Sequence, residues 1–331
     1  MQKLLLRLAL LLGTAALLGG LGIWAGLRRG YVDAFYARFA APPAGSLVLG
    51  TSRAAQGIKP SVLAARLRPK GYEGPWLNYA FTLAESPYGP GYLSSIRRKL
   101  APGTKKGLFV LAVDPWSLAL PKDVKRGEYP FFSKAGTLQR LAGGKGPVLF
   151  PEAQSMVSQL ANVSQDPNID YLAHYLHKPF YQLLLNTDTA HVVERLHPDG
   201  WLEIALPPPT ADTALLRRRT AEKLATYRKL AASSAFSEDR YYSLVATIRF
   251  LQKHGRVVLV RLPTGPAMAA LEKQFIPGFD NRMHSTTEIL HVPYLNYLDQ
   301  PYPTNDGNHL TRQAAAQFSQ RLAADIARLN H

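Results

Sequence analysis

Cysteine is absent from this 331-residue chain, which excludes disulfides, thiolate metal ligands and a cysteine nucleophile without fixing the compartment. Acidic side chains are also few, with 23 Asp and Glu against 39 Lys and Arg and a formal charge of +16. An excess of that size calls for an anionic partner or surface: lipid headgroups, an acidic polysaccharide or nucleic acid. Zinc-ligand spacing, an aromatic RNA-binding strand and a basic-region helix are all missing, so no nucleic-acid partner is expected. Charged residues make up 19% and apolar residues 47%, a globular balance without the marks of disorder. The length suits one large α/β domain, or one domain with a sizeable insertion. No internal repeat is evident.

What is present begins with an apolar run. Lys3 and Arg7 precede Leu8 to Leu27, a stretch without charge, and Arg28-Arg29 ends it. At about 1.5 Å per residue this covers roughly 30 Å, the hydrocarbon thickness of a bilayer. Trp24 suits the interface. A cleaved signal peptide competes, but no small-x-small site follows and the run is long for a signal. Residues 1–45 therefore read as a transmembrane anchor and connector. The bulk of the chain is expected on the extracytoplasmic side. Tyr31 to Ala41 reads as an amphipathic connector, ended by Pro42-Pro43.

From residue 46 onward, strand and helix signals alternate. Ser46 to Leu49, Trp76 to Ala80, Gly107 to Val113, Arg256 to Arg261 and Tyr294 to Tyr297 read as strands. The third is apolar throughout, as a central parallel strand covered on both faces requires. Helices are expected over Pro60 to Leu67, Gly89 to Leu100, Glu238 to His254, Pro266 to Gln274 and Thr311 to Leu329. Such βα steps predict a three-layer, doubly wound parallel sheet of flavodoxin-like type, spanning 46–331. Between 118 and 237 the alternation fades into dense Pro and aromatic residues, with helical patches at Glu152 to Leu160, Asp170 to Leu176 and Asp212 to Leu230. This stretch predicts a mainly helical insertion capping the sheet's carboxyl edge. Its Arg217-Arg218-Arg219 cluster is most simply a solvated helix face, with membrane or polyanion contact as the alternative.

Two short loops carry chemistry. Gly50-Thr51-Ser52 follows the first strand, and Asp306-Gly307-Asn308-His309 precedes the last helix. Both fall at the carboxyl edge of a parallel sheet, where ligands bind in this architecture. Alone, each is an ordinary turn. Together they supply a hydroxyl, an imidazole to take its proton, and a carboxylate to hold the imidazole.

On these residues the chain resembles the SGNH (GDSL-like) hydrolase superfamily, over about 46–118 and 238–331. The N-terminal run makes it similar to envelope-associated members that move or remove acyl groups on cell-surface polymers. The resemblance implies Ser52 as nucleophile, His309 as general base and Asp306 as its orienting partner. It also implies Ser52 and Ala80 backbone N–H groups as oxyanion donors, with Asn78 as a further one. No metal or organic cofactor is implied. Thr51 stands where the family has Asp, and Asp114-Pro115-Trp116 stands where it has an asparagine donor; an ionised Asp cannot donate a hydrogen bond. Asp114 reads more simply as a turn residue ahead of Pro115.

Arg53 is either a clamp for an anionic substrate group or a surface or helix-capping arginine. The expectation is a membrane-anchored serine esterase or O-acyltransferase acting on acyl esters of envelope polymers. The alternative is a catalytically inactive envelope protein of the same fold that binds an anionic glycan or a protein partner.

Overall fold

The computed structural model describes residues 2–28, 38–39, 41–83, 88–122, 193–205 and 213–329. An N-terminal helix α1 (Gln2–Arg28) carries a window, Gln2–Gly22, long and apolar enough to span a membrane. None of that window is buried against the rest of the chain. The Tyr31 to Ala41 connector lies outside the described residues, apart from Arg38, Phe39 and Ala41.

The body is α/β. In chain order it contains β1 (Ser46–Leu49), α2 (Ser52–Gly57), α3 (Pro60–Leu67), β2 (Trp76–Asn78), α4 (Pro90–Lys99) and β3 (Gly107–Ala112). Then follow β4 (Ala119–Pro121), β5 (Val193–Leu196), β6 (Leu202–Ala205), α5 (Thr213–Ser233), β7 (Ser234–Phe236), α6 (Glu238–Gln252) and β8 (Gly255–Arg261). The chain closes with α7 (Pro266–Phe275), α8 (Phe279–Leu290), β9 (Tyr294–Asn296) and α9 (Arg312–Arg328).

Five strands form one parallel sheet in the order β2-β1-β3-β8-β9. Every residue of β1 and β3 is buried, because apolar side chains on both faces meet helices. α9 packs on α2 and α3, whereas α6 packs on α4. The chain leaves β1 toward β2 and returns past it to β3, so strand order reverses beside β1. The crevice at the carboxyl ends of β1 and β3 is thus a topological switch point.

The second strand is shorter than its apolar run suggested, ending at Asn78. α8 was not anticipated. The ends of the insertion pair with each other, β4 running antiparallel to β7. Its described part holds this pair, the β5–β6 hairpin and the 21-residue α5, which matches the helical patch expected over Asp212 to Leu230; short strands accompany the helix there. The 152–160 and 170–176 patches lie outside the described residues.

The hairpin is docked hard against the body. Asn78 N–H donates to Asp199 O at 2.8 Å, and the buried Trp201 ring donates through Nε1 to Gln56 O at 2.7 Å.

Candidate active site

Gly50 sets the geometry of the first loop. Its φ of +137° belongs to the region that favours glycine. A β-carbon there would lie 2.8 Å from Ala112 Cβ and 3.1 Å from Ala54 Cβ. Only a glycine lets β1 turn this close to β3 and start α2 at once. Gly50 N–H donates to Tyr92 Oη (3.1 Å), which donates on to Tyr79 O (2.7 Å) and so ties the ends of β1 and β2 together. Ser52 is the first residue of α2, and its N–H has no partner within the helix.

The second loop is shaped by Asp306. Its Oδ1 accepts from the N–H groups of Asn308 (3.0 Å) and His309 (2.9 Å), a local turn that brings the ring back over the carboxylate. Gly307, with φ +76°, passes under Thr220 of α5 and accepts at its carbonyl from Gly265 N–H (2.8 Å) beyond β8.

The two loops meet. His309 Nδ1 donates to Asp306 Oδ2 at 2.8 Å, and Ser52 Oγ lies 2.9 Å from His309 Nε2, across 257 positions of sequence. A carboxylate only accepts, which places the imidazole proton on Nδ1 and leaves Nε2 to accept from the serine. Asp306 and His309 are buried and Ser52 is half-buried. Burial works against ionisation of Asp306. The His309 ring, its hydrogen bond, the Lys223 ammonium at 3.5 Å and the His309 N–H outweigh it and hold the carboxyl well below the ordinary range.

Three expectations are corrected. Asn78 is no free donor: its Nδ2 donates to Ala54 O (2.8 Å) and Ile58 O (2.9 Å), capping the carbonyl end of α2. Ala80 N–H is engaged too, donating to Asn78 Oδ1 at 3.1 Å. Arg53 is neither a clamp open to substrate nor a surface arginine. It is 4% exposed, ion-paired with Glu272, near Asp114 (3.9 Å), and donates from Nε and Nη2 to Asn308 Oδ1. Burial alone would lower its pKa, but Glu272 and Asp114 raise it instead.

Asp114 caps the turn Pro115–Leu118 through Ser117 N–H (2.8 Å), and burial pushes its carboxyl up against the pull of Arg53. Glu272 also accepts from Trp116 Nε1 (2.7 Å) and Arg261 (3.0 Å), and Arg261 pairs with Asp280. A buried chain of alternating charge therefore underlies the Ser52 turn.

Comparison with protein-family models, curated proteins and solved structures finds no match to this chain.

Further residues that no motif marks border the site. Asn308 Nδ2 lies 3.2 Å from His309 Nε2 and 3.3 Å from Tyr227 Oη. Tyr227 stands edge-on to Trp116, at 4.7 Å between ring centroids. Burial, chiefly, pushes its hydroxyl up to about 12, so it stays a neutral phenol. Thr220, Lys223 and Tyr227 fall on one face of α5 at helical spacing. That spacing was the available signal, though it did not name the loop it would meet. Among the described residues no cluster of His, Asp and Glu could hold a metal.

Proposed function

We propose that this protein is a membrane-anchored serine esterase or O-acyltransferase of SGNH type, with α1 as the anchor and the body outside the cytoplasm. The observation that carries the reading is the unbroken Ser52–His309–Asp306 hydrogen-bonded chain at the switch point of a parallel sheet.

Ser52 Oγ attacks the carbonyl carbon of an acyl ester while its proton passes to His309 Nε2. Asp306 holds the Nδ1–H tautomer and stabilises the imidazolium. The carbon–oxygen bond to the leaving alcohol breaks, and that oxygen takes the proton from Nε2. Water or an acceptor hydroxyl then gives a proton to Nε2 and attacks the acyl carbon. The bond from that carbon to Oγ breaks, Oγ takes the proton from Nε2, and the acid or new ester leaves with Ser52 and neutral His309 restored. The Ser52 N–H serves as an oxyanion donor. Loss of one donor costs about 10²–10³ in rate, so turnover is expected to be slow. Acylated glycans or other envelope polymers are the substrate class that the anchor and the basic body favour.

A short-chain nitrophenyl ester tests this. The full chain should release nitrophenol and accumulate a hydroxylamine-sensitive acyl group on Ser52. Ser52→Ala should do neither.

One observation favours a second reading, a non-catalytic binder of an anionic glycan or a protein partner on the same fold. Ala80 N–H and the Asn78 amide both satisfy protein acceptors. Wild-type protein that never acylates would select it.

A further inference from the structure

Beyond α1, Arg38 and Phe39 pack beside the carboxyl end of β2, next to the turn that carries Ser52. Arg38, fully buried, donates through Nε to Gly200 O at 2.8 Å, and its guanidinium lies 5.5 Å from the Phe81 ring centroid. Phe39 stacks on the same ring at 4.7 Å. Phe81 N–H donates to Gly50 O (3.3 Å), two residues before Ser52. The connector therefore joins the body at the carboxyl edge of the sheet. From there the chain returns to the amino edge, where Ala44 N–H donates to Lys99 O. The roughly ten residues from Arg28 to Arg38 span at most about 36 Å, which limits how far this edge can lie from the end of α1.

The same edge carries a cationic surface. α5 holds Arg217, Arg218, Arg219, Lys223, Arg228 and Lys229 against a single acid, Glu222. At 100° per residue, Thr220, Lys223 and Tyr227 share the face turned to the catalytic loop. Arg217, Arg218, Arg228 and Lys229 share the opposite, exposed face. A second basic cleft, of about 720 Å³, is lined in part by Lys70, Lys105, Lys106 and Arg256, but it opens at the amino ends of β3 and β8. Arg38, the first described residue after α1, instead contacts Gly200 and Phe81 at the other edge.

We propose that the carboxyl edge, led by the outer face of α5, rests on the bilayer that holds α1, its cations engaging anionic headgroups. The proposal depends on the anchor reading of α1 and requires no catalysis. Each such cation favours the seated arrangement about fivefold in a partly anionic membrane.

The absence of cysteine makes the test direct. In the full chain a donor dye is placed on Ala225→Cys, exposed on α5, or on Lys105→Cys at the amino edge, with acceptor-labelled lipid in anionic nanodiscs. Energy transfer should be higher from position 225. It should fall toward that of position 105 in zwitterionic nanodiscs and when Arg217→Glu, Arg218→Glu and Arg228→Glu are combined.

Equal or higher transfer from position 105 overturns the proposal. An advantage at 225 that survives neutral lipid or charge reversal overturns the headgroup contact. Parity together with capture of soluble polyphosphate by α5 would assign the cations to a soluble polymer and also overturn it. Fluorophosphonate labelling of Ser52 in the same nanodiscs reports separately on the serine chemistry, so failure of one reading is distinguishable from failure of the other.

Discussion

Arg53 donates two hydrogen bonds to Asn308 Oδ1, at 2.8 Å from Nε and 2.5 Å from Nη2, and thereby decides which way the Asn308 amide faces. Arginine has no acceptor, so the amide oxygen must point to it and Nδ2 must point to His309 and Tyr227. The residue beside Ser52 thus reaches the residue beside His309. Glu272, on α7, holds Arg53 in that position.

Arg53→Met should destabilise the fold strongly, because it leaves Glu272 and Asp114 buried with one cation fewer. Removing one partner of a buried ion pair costs about 3–5 kcal/mol. Arg53→Lys keeps the charge but not the planar fork, and should fall between the two. Urea unfolding measures all three proteins. An unchanged midpoint for Arg53→Met would remove the buried charge chain from the account.

Gly50→Ala should cost on the order of 1–3 kcal/mol through backbone strain alone. Contact with Ala112 and Ala54 adds to this, and relaxation displaces Ser52. Thermal unfolding and ester turnover should both fall. Retention of both would mean that the turn has another way to close.

Asp306 makes stability depend on pH in a known direction. Its folded pKa lies below the unfolded value of about 3.9, so around that value the unfolded chain binds the extra proton. The stabilisation is complete well above pH 4 and is lost as pH falls toward the folded pKa. Asp306→Asn should therefore be less stable than wild type at pH 6, and the gap should close as the solution is acidified. A gap that stays constant with pH would contradict the assignment.

Much of the sheet was legible because its strands are uninterrupted apolar runs, such as Leu108 to Ala112, that no half-exposed element could accommodate. The Ser52 and Asp306–His309 loops were legible because a parallel sheet sends all its βα exits to one edge.

What was misread depended on partners far along the chain. Arg53 meets Glu272, and no local pattern announces that pairing. The resemblance implies Asn78 as an oxyanion donor, yet a fully buried amide must satisfy itself, and the open carbonyls of α2 are nearest. The β5–β6 hairpin could have been anticipated: Asp199-Gly200 lies between two short strands of suitable composition, a recognised turn signal. α8 is polar enough along Asp280 to Glu288 to pass for a loop, its burial resting on Phe279, Met283, Thr286 and Thr287.

The central claim is that His309 activates Ser52. A fluorophosphonate probe followed by intact-mass measurement tests it most directly, on wild type, Ser52→Ala, His309→Ala and the double variant, with circular dichroism to confirm folding. The wild-type chain should gain one adduct, mapped to Ser52. Each single variant should lose labelling nearly as completely as the double, since base and nucleophile act in one step. Labelling of His309→Ala at the wild-type rate, or an adduct on another residue, would contradict the account.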